Sequence, residues 1–241
     1  MSASDGNFKR KIIMSKIFNL SKLIFFIVVI SIAVAWAADD GWKKIGESDG
    51  ITGYARPTSR SSVNEIKATG FVDAPIAVVE AVMRDISVMP QYVFLCKESF
   101  IVNTPEMRSE GDVIYFYSLI DLHFPVSDRD AVAKALWSVD KSTGAIYCHA
   151  EGIKTSYNHK KNVVRMPSSI TDCILVPKGA DKTEVTYHVL GDQGGRLPHF
   201  LVNMLTKDYG IRTIAGLRQM VKKDKFKNVK NVVTTTEKLK R

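Results

Sequence analysis

The spacing of apolar side chains predicts two strands followed by a short helix in the first part of the chain. Apolar and polar residues alternate, imperfectly, over residues 51–57 and 62–72, and the serine-rich link between them predicts a hairpin. Pro75 suits the first turn of a helix, and apolar residues then recur at helical spacing as far as Ile86. Pro90 predicts that this helix does not continue past it.

The middle of the chain, from Tyr92 to Leu190, predicts one strand after another. Turn residues such as Thr104-Pro105 and Gly179-Ala180-Asp181 separate the apolar or alternating segments. Together with the hairpin, these segments predict seven or eight antiparallel strands. The candidate strands are FLCKESFIVN, DVIYFYSLI, RDAVAKALWSV, GAIYCHAEG, VVRMPSSITDCILVP and TEVTYHVLG.

A long helix is predicted after this run of strands, opening at Pro198. Gly210 and Gly216 each weaken a helix by about 1 kcal/mol relative to alanine, unless close packing requires them. The helix carries one broad apolar stripe, formed by Leu197, Phe200, Leu201, Met204, Leu205, Ile211, Ile214 and Leu217. Because this stripe must be covered, the order of elements predicts an α+β fold in which a curved antiparallel sheet wraps around the C-terminal helix.

Residues 1–37 have the pattern of a secretory signal. Five basic residues precede an uncharged run of sixteen residues, Leu23 to Ala38, and Ala35 and Ala37 supply small side chains at the cleavage-determining positions. The run is shorter than the roughly 20 residues of a membrane-spanning helix. We therefore expect cleavage before Ala38 and a periplasmic or secreted protein, with an uncleaved membrane anchor as the alternative.

The formal net charge of +9 misrepresents the body of the chain. The leader carries five bases and one acid, and residues 222–241 carry eight bases and two acids, so residues 38–221 have a net charge of −1. This distribution argues against nucleic-acid binding, which needs a basic folded face. We expect one monomeric domain over residues 38–222. We also expect a basic, disordered tail over residues 223–241 that is either solvated or in transient contact with an anionic membrane.

The residues that most often carry chemistry form no catalytic or metal-binding pattern. The three cysteines, Cys96, Cys148 and Cys173, match no metal spacing and predict buried free thiols or one disulfide. None of the five histidines has metal-ligand spacing, and Cys148 and His149 are adjacent on a strand, so they point to opposite faces. The sequence therefore predicts no catalytic residue, metal ion or cofactor.

Three segments, in order, resemble those of one known family. They are WKKI (42–45) with DGI (49–51) and YAR (54–56), then FPVSDRD (124–130), then GGRLP (194–198) with Leu201, Val202 and Asn203. On these residues the chain resembles the START family, the steroidogenic-acute-regulatory-related lipid-transfer domains, from about residue 41 to 222. The resemblance implies a helix-grip fold with a tunnel for one lipid or sterol and no covalent chemistry. It also implies a helix and a strand in the first segment, and a loop before Arg129 near the tunnel entrance.

The strand that begins at Arg129 supplies the first candidate ligand contacts. Alternation places Arg129, Ala133 and Trp137 on one face, and Lys134, which belongs in water, on the other. The small-residue face is thus predicted to point inward and leave room for a ligand. Arg129 then either donates to a ligand oxygen or forms a buried ion pair with Asp128, Asp130 or an acid of another strand.

Seven further residues are candidate ligand contacts in the tunnel. Arg165 is predicted to point inward or to be an exposed strand arginine. The tyrosines offer an apolar wall with a polar tip, or ordinary core packing, and the helix residues include a methionine that can adapt to ligand shape. The set is Arg165, Tyr115, Tyr117, Tyr187, Phe200, Asn203 and Met204.

The predicted function is binding of a lipid or other hydrophobic small molecule in this tunnel, with transfer between membranes. A polyketide cyclase or aromatase on the same fold is one alternative, and export disfavours it because acyl-carrier substrates are cytosolic. An adaptor whose tunnel is filled by side chains is another. An internal cavity below about 300 Å³ would favour the adaptor.

Overall fold

Ten strands of the described residues form one sheet, which is antiparallel except for one short pairing. The computed structural model describes residues 41–61, 63–195, 197–227 and 229. The strands are β1 (Lys43–Ser48), β2 (Ile51–Arg56), β3 (Glu65–Val72), β4 (Cys96–Ile101), β5 (Val113–Ile120), β6 (Arg129–Val139), β7 (Ile146–Gly152), β8 (Val164–Arg165), β9 (Ser168–Pro177) and β10 (Thr183–Asp192).

The strand order places an early strand, β3, beside the last strand, β10. It runs β1-β2-β3-β10-β9-β7-β6-β5-β4, and the two-residue strand β8 pairs with β6 in parallel. Sequential hairpins account for most neighbours, whereas the β3–β10 pair brings the predicted first hairpin against the last strand. This long-range pair turns a series of local hairpins into one continuous sheet.

The helices are α1 (Ile76–Arg84), α2 (Met89–Tyr92), α3 (His199–Met220) and α4 (Asp224–Lys227), with a 3₁₀ turn at Ile86–Val88 between the first two. Helix α3 packs against β1, β2, β3 and β10 of the sheet and against α1 and α2. Its buried residues, Leu201, Leu205, Ile214 and Leu217, join one main core cluster with the inner face of the sheet. The α+β helix-grip arrangement predicted from the sequence is confirmed.

Helix α3 approaches its neighbours closely at two glycines. A Cβ added to Gly210 would lie 2.7 Å from the Cβ of Ala68, and one added to Gly216 would lie 2.5 Å from the carbonyl oxygen of Tyr92. These distances are shorter than van der Waals contact permits. The glycines that weaken the helix in isolation are therefore the residues that let it lie against β3 and α2.

Of three local predictions, two were wrong and one was confirmed. The first segment of the family resemblance forms the strand β1, paired with β2, where a helix was expected. The prediction that the first helix does not continue past Pro90 is confirmed, because α1 ends at Arg84. Pro90 lies in the first turn of a separate helix, α2, where a missing N–H costs nothing. Pro167 divides one predicted strand into β8 and β9, since proline cannot donate to the ladder.

The ordered region extends past residue 222, where the sequence pattern places the end of the domain. Helix α4 follows, and Phe226 is buried in the main core cluster. The predicted signal at residues 1–37 and most of the basic tail lie outside the described residues. Among the described helices, none is both long enough and apolar enough to cross a membrane.

Replacing Gly216 with alanine should destabilise the protein. The added methyl group must push α3 away from the Tyr92 backbone, and overpacking of this kind costs about 1–3 kcal/mol. Because the contact is with backbone at 2.5 Å, we expect a cost in the upper part of this range, above the gain of about 1 kcal/mol in helix propensity. Urea denaturation measures the difference, with Gly46→Ala as the control, since the nearest atom to a Cβ there is 3.7 Å away. A Gly216→Ala protein as stable as wild type would contradict the close-packing argument.

Candidate functional site

Small side chains line the concave face of the sheet where β6 crosses it. Ala131, Ala133, Ala135 and Trp137 all border an internal cavity between the sheet and the helices. This is the face that the alternation along β6 predicted, and Lys134 lies on the opposite face. The alanines leave space because each projects only a methyl group from the strand.

The cavity has two ends, which we name by the nearest residue of β6. At the Arg129 end, the polar side chains of Asn64, Ser118, Ser169 and Gln193 line the wall. The Trp137 end lies against α1 and α2 and is described further below. None of the described side chains that line the cavity is charged. Its chemistry is therefore that of an apolar tunnel with uncharged hydrogen-bonding groups.

The cavity is small, with a volume of about 120 Å³. Ordinary ligand pockets enclose about 300–1,000 Å³, so a whole lipid enters only if the walls move. Met83, Met89 and Met166 all line the cavity. Their unbranched side chains change shape at low cost, which provides a way for the cavity to widen.

The three consecutive charges that precede the alanines of β6 have three separate partners. Asp128 lies 3.4 Å from the ammonium of Lys97. Asp130, on the outer face of the sheet, binds Arg165. Arg129 lies between them on the chain but pairs with neither, since its hydrogen bonds go to backbone carbonyls. The predicted buried ion pair of Arg129 with an acid is therefore wrong.

Arg129 is a structural clamp between two connecting segments. Its Nε donates to the carbonyl of Gln193 at 3.0 Å, its Nη2 to Gly194 at 3.0 Å and its Nη1 to Ser127 at 2.5 Å. The side chain is only 3% exposed, and this burial lowers its pKa. Arg129 thus ties the loop before β6 to the segment that leads into α3. It does not line the cavity, contrary to its prediction as a ligand contact.

Arg165 is also occupied by the protein itself. Its Nε and Nη2 form a bidentate pair with the carboxylate of Asp130 at 2.6 and 3.1 Å, and its remaining donors bind the carbonyls of Thr155 and Tyr157. Asp130 is 1% exposed, so this is a buried ion pair with its hydrogen bonds satisfied. Arg165 therefore lies neither in the cavity nor exposed as a free surface arginine, the two positions that the sequence predicted.

The two tyrosines of β5 lie on the other face of the sheet from the cavity. Tyr117 is fully buried and stacks on Phe100, with ring centroids 4.9 Å apart, and Tyr115 packs beside it. They belong to a second core cluster, which covers the outer face of β5. Phe116 and Ser118 line the cavity in their place. The prediction chose the wrong face because both faces of β5 are covered, so alternation alone does not distinguish them.

The predicted helix residues are largely directed away from the cavity. Phe200 is 65% exposed, Asn203 is exposed, and Met204 is half-buried against the main core cluster without lining the cavity. Leu205 and Tyr209 line it instead. Of the ten predicted contacts, the structure therefore places three on the cavity wall, namely Ala133, Trp137 and Tyr187.

The sequence analysis missed two tyrosines that face the cavity from the helices. Tyr209 lies four residues after Leu205, which is helical spacing, so the extended apolar stripe could have identified it. Tyr92 ends the short helix α2, and no local pattern marks it. Both line the cavity opposite the sheet.

The three cysteines are free thiols, and each is buried. Burial raises the pKa of Cys96 to about 12 and that of Cys148 to about 12, and it raises the pKa of Cys173 as well. A thiol rather than a thiolate is then present near neutral pH, which makes a poor nucleophile. No group of His, Cys, Asp or Glu side chains in the described ranges has the arrangement of a metal site.

Comparison with known proteins identifies the family. The START domain model matches residues 30–227, so the chain belongs to the START family. An uncharacterized protein of Pseudomonas aeruginosa is 28% identical over 188 residues, which cover 78% of this chain and 90% of that protein.

Solved structures share the fold. A STAR-related lipid transfer protein from Xanthomonas axonopodis (fragment 25–204) has 26% identity and a TM-score of 0.67, covering 76% of this chain and all of that chain. Human StAR-related lipid transfer protein 5 has 18% identity and a TM-score of 0.66, covering 85% and 97% respectively. The chain therefore has the fold of a family that generally binds hydrophobic ligands.

Replacing Arg129 with methionine should lower the free energy of unfolding, and it should leave the cavity wall unchanged because Arg129 does not line it. The substitution removes three charge-assisted hydrogen bonds and leaves the carbonyl of buried Gly194 unpaired, a loss of about 3 kcal/mol. Chemical denaturation measures this loss, with the exposed Arg60→Met as the control. An unchanged free energy of unfolding would show that the clamp contributes nothing.

Proposed function

We propose that this protein binds a hydrophobic ligand, such as a lipid, a sterol or a fatty-acid-like molecule, in the internal cavity and transfers it between membranes outside the cytoplasm. The observation that carries this proposal is an internal cavity whose described walls are uncharged and in which three successive inward positions of β6 are alanines. Burial of each ligand methylene contributes about 0.8 kcal/mol. Apolar contact then supplies most of the affinity.

The proposal is one of binding without turnover. General acid–base chemistry needs a titratable group at the reacting atoms, and the described cavity wall offers uncharged side chains and thiols whose pKa is raised by burial. A START-fold cyclase or aromatase is the competing function. Appearance of an altered product when purified protein is incubated with a bound polyketide or lipid would favour the enzyme.

The small cavity supports a second candidate function, that of an adaptor whose interior is filled by its own side chains. The volume of about 120 Å³ is below the limit of about 300 Å³ that favours this alternative. The two candidates differ in whether ligand is present in the protein that cells produce. They also differ in whether the methionine-containing wall opens.

Protein purified from the cells that naturally make it should carry one lipid-mass adduct in native mass spectrometry. The same spectrum should give the mass of a chain that begins at Ala38, as expected for cleavage of a signal. Ala133→Phe should abolish most of the adduct, because a phenyl group occupies much of a cavity of this size. Leu136→Phe is the matched control, since Leu136 lies on the same strand and is 43% exposed on the opposite face.

An adduct-free wild-type protein would overturn the carrier proposal and favour the adaptor. An adduct that survives Ala133→Phe unchanged would place the ligand elsewhere. Urea denaturation of both variants separates loss of ligand from loss of folding. Phenylalanine at position 133 should be tolerated only if the wall can widen, because overpacking a rigid core costs about 1–3 kcal/mol.

Two exposed aromatic residues support the transfer step of this proposal. Phe124, in the loop that leads to Arg129, is 98% exposed, and Phe200, in the first turn of α3, is 65% exposed. Phe124 precedes Arg129 by five residues, and Phe200 follows Gly194 by six. Arg129 and Gly194 are joined by a hydrogen bond. Exposed apolar side chains of this kind favour contact with a membrane surface. The basic tail adds attraction to anionic lipid in the same proposal.

The double variant Phe124→Ser, Phe200→Ser should slow transfer of ligand between vesicles by about tenfold or more, because each side chain loses its burial in the bilayer. The amount of ligand bound at equilibrium should stay unchanged, since neither residue lines the cavity. Phe71→Ser is the control. Phe71 is also an exposed phenylalanine, but it lies on β3 and not in the loop before β6 or at the start of α3. Equal transfer rates for the double variant and wild type would remove membrane contact from the proposal.

A further inference from the structure

Four residues form a continuous row across the inner face of the sheet at the Trp137 end of the cavity. The strand registers pair Trp137 with Cys148, Cys148 with Cys173, and Cys173 with Tyr187. All four line the cavity. Trp137 is eight residues from Arg129 along β6, which corresponds to about 26 Å at the rise of a strand. We call these residues the deep row.

Two tyrosines of the helices face the deep row. Tyr209 of α3 lies near Tyr187, with ring centroids 6.4 Å apart, and Tyr92 of α2 lines the same cavity. Burial raises the pKa of all three of these phenols. The hydroxyl and thiol groups at this end are therefore hydrogen-bonding groups without charge at neutral pH.

Trp137 carries a donor that the protein leaves unused. Its side chain is 6% exposed, and its Nε1–H donates to no partner within the described residues. The ring is held in place, since the guanidinium of Arg84 lies 4.6 Å from its centroid. Buried donors in native proteins are almost always paired, so an unpaired one on a cavity wall indicates a missing acceptor.

The described arginines near β6 are all engaged by the protein, and none of them lines the cavity. Arg129 donates to three carbonyls, and Arg165 donates to Asp130 and two carbonyls. Arg84, which stacks on the Trp137 ring, pairs with Glu80 and Asp112. Burying an ionised carboxylate or phosphate without a counter-charge is strongly unfavourable. The acceptor that pairs with the indole is therefore an uncharged oxygen.

We infer that the deep row is a subsite for an uncharged oxygen acceptor, a ketone, ester carbonyl or hydroxyl, which receives the Nε1–H of Trp137. The ligand is then a neutral amphiphile bound with this polar group at the Trp137 end and its hydrocarbon along the alanines of β6. This inference rests on the proposed function and narrows its ligand class.

Three saturated eighteen-carbon probes test the inference on the full-length wild-type chain: octadecane, 2-octadecanone and stearate, each presented from cyclodextrin at pH 9. Octadecane reports the apolar cavity alone, the ketone adds an oxygen that can only accept, and stearate adds a charge. We expect octadecane and 2-octadecanone to bind, and stearate to bind at least about tenfold more weakly than the ketone. Stearate binding as tightly as the ketone would overturn the inference.

The variant Trp137→Phe keeps an aromatic ring and removes the donor. It should weaken 2-octadecanone binding about 2- to 10-fold more than it weakens octadecane binding, the range of one neutral hydrogen bond, because both probes feel the smaller ring and only the ketone loses the donor. Trp42→Phe is the matched control. Trp42 lies in a separate groove, where the ammonium of Lys67 is 4.4 Å from its ring centroid, and it does not line the cavity. Equal weakening of both probes, or of neither, would overturn the role of Trp137.

The outcomes separate this inference from the proposed function. If octadecane and the ketone bind wild type but Trp137→Phe does not discriminate between them, the cavity is a ligand site and only the subsite is wrong. If none of the three probes binds wild type, the carrier proposal fails together with the subsite. The wild-type comparison needs no variant, so a poorly folded Trp137→Phe protein would not prevent the test.

Discussion

The arrangement of this protein depends on the close approach of helix α3 to the sheet and to α2. Gly210 lies against Ala68 and Gly216 against the backbone of Tyr92, at distances that leave no room for a Cβ. These contacts fix the C-terminal half of the helix. The cavity lies under the other half, where Leu205 and Tyr209 face it. The same helix therefore closes the core at one end and leaves space at the other.

Charge is excluded from the cavity by giving each nearby charged group a partner elsewhere. Arg129 holds backbone carbonyls of two connecting segments, and Arg165 holds Asp130 on the outer face of β6. The hydrogen bonds of Arg129 hold the loop before β6 and the segment before α3 against each other. What remains at the cavity wall is apolar surface with uncharged donors, which suits a ligand held by burial and by one or two hydrogen bonds.

The small volume of the cavity sets a condition on any ligand. Space of about 120 Å³ is enough for water but not for a lipid, so binding has to be coupled to movement of the wall. Met83, Met89 and Met166 are suited to such movement because their side chains are flexible and unbranched. A carrier on this fold would use part of its binding energy to open the interior, and affinity would depend on ligand shape.

Sequence by itself determined the order of the elements between β2 and α3 apart from the division at Pro167, the α+β class, the terminal helix and the inward face of β6. These follow from local periodicity and from where Lys134 has to lie. Tertiary structure alone decided the rest. Two of the three partners of Arg129, Gln193 and Gly194, lie 64 and 65 positions away along the chain, beyond any local pattern. A second core cluster covers the outer face of β5, so alternation grouped Tyr115 with Tyr117 correctly but could not tell which face the cavity occupies. Period-two spacing predicts which side chains share a face of the sheet. What covers that face depends on the packing of the whole chain.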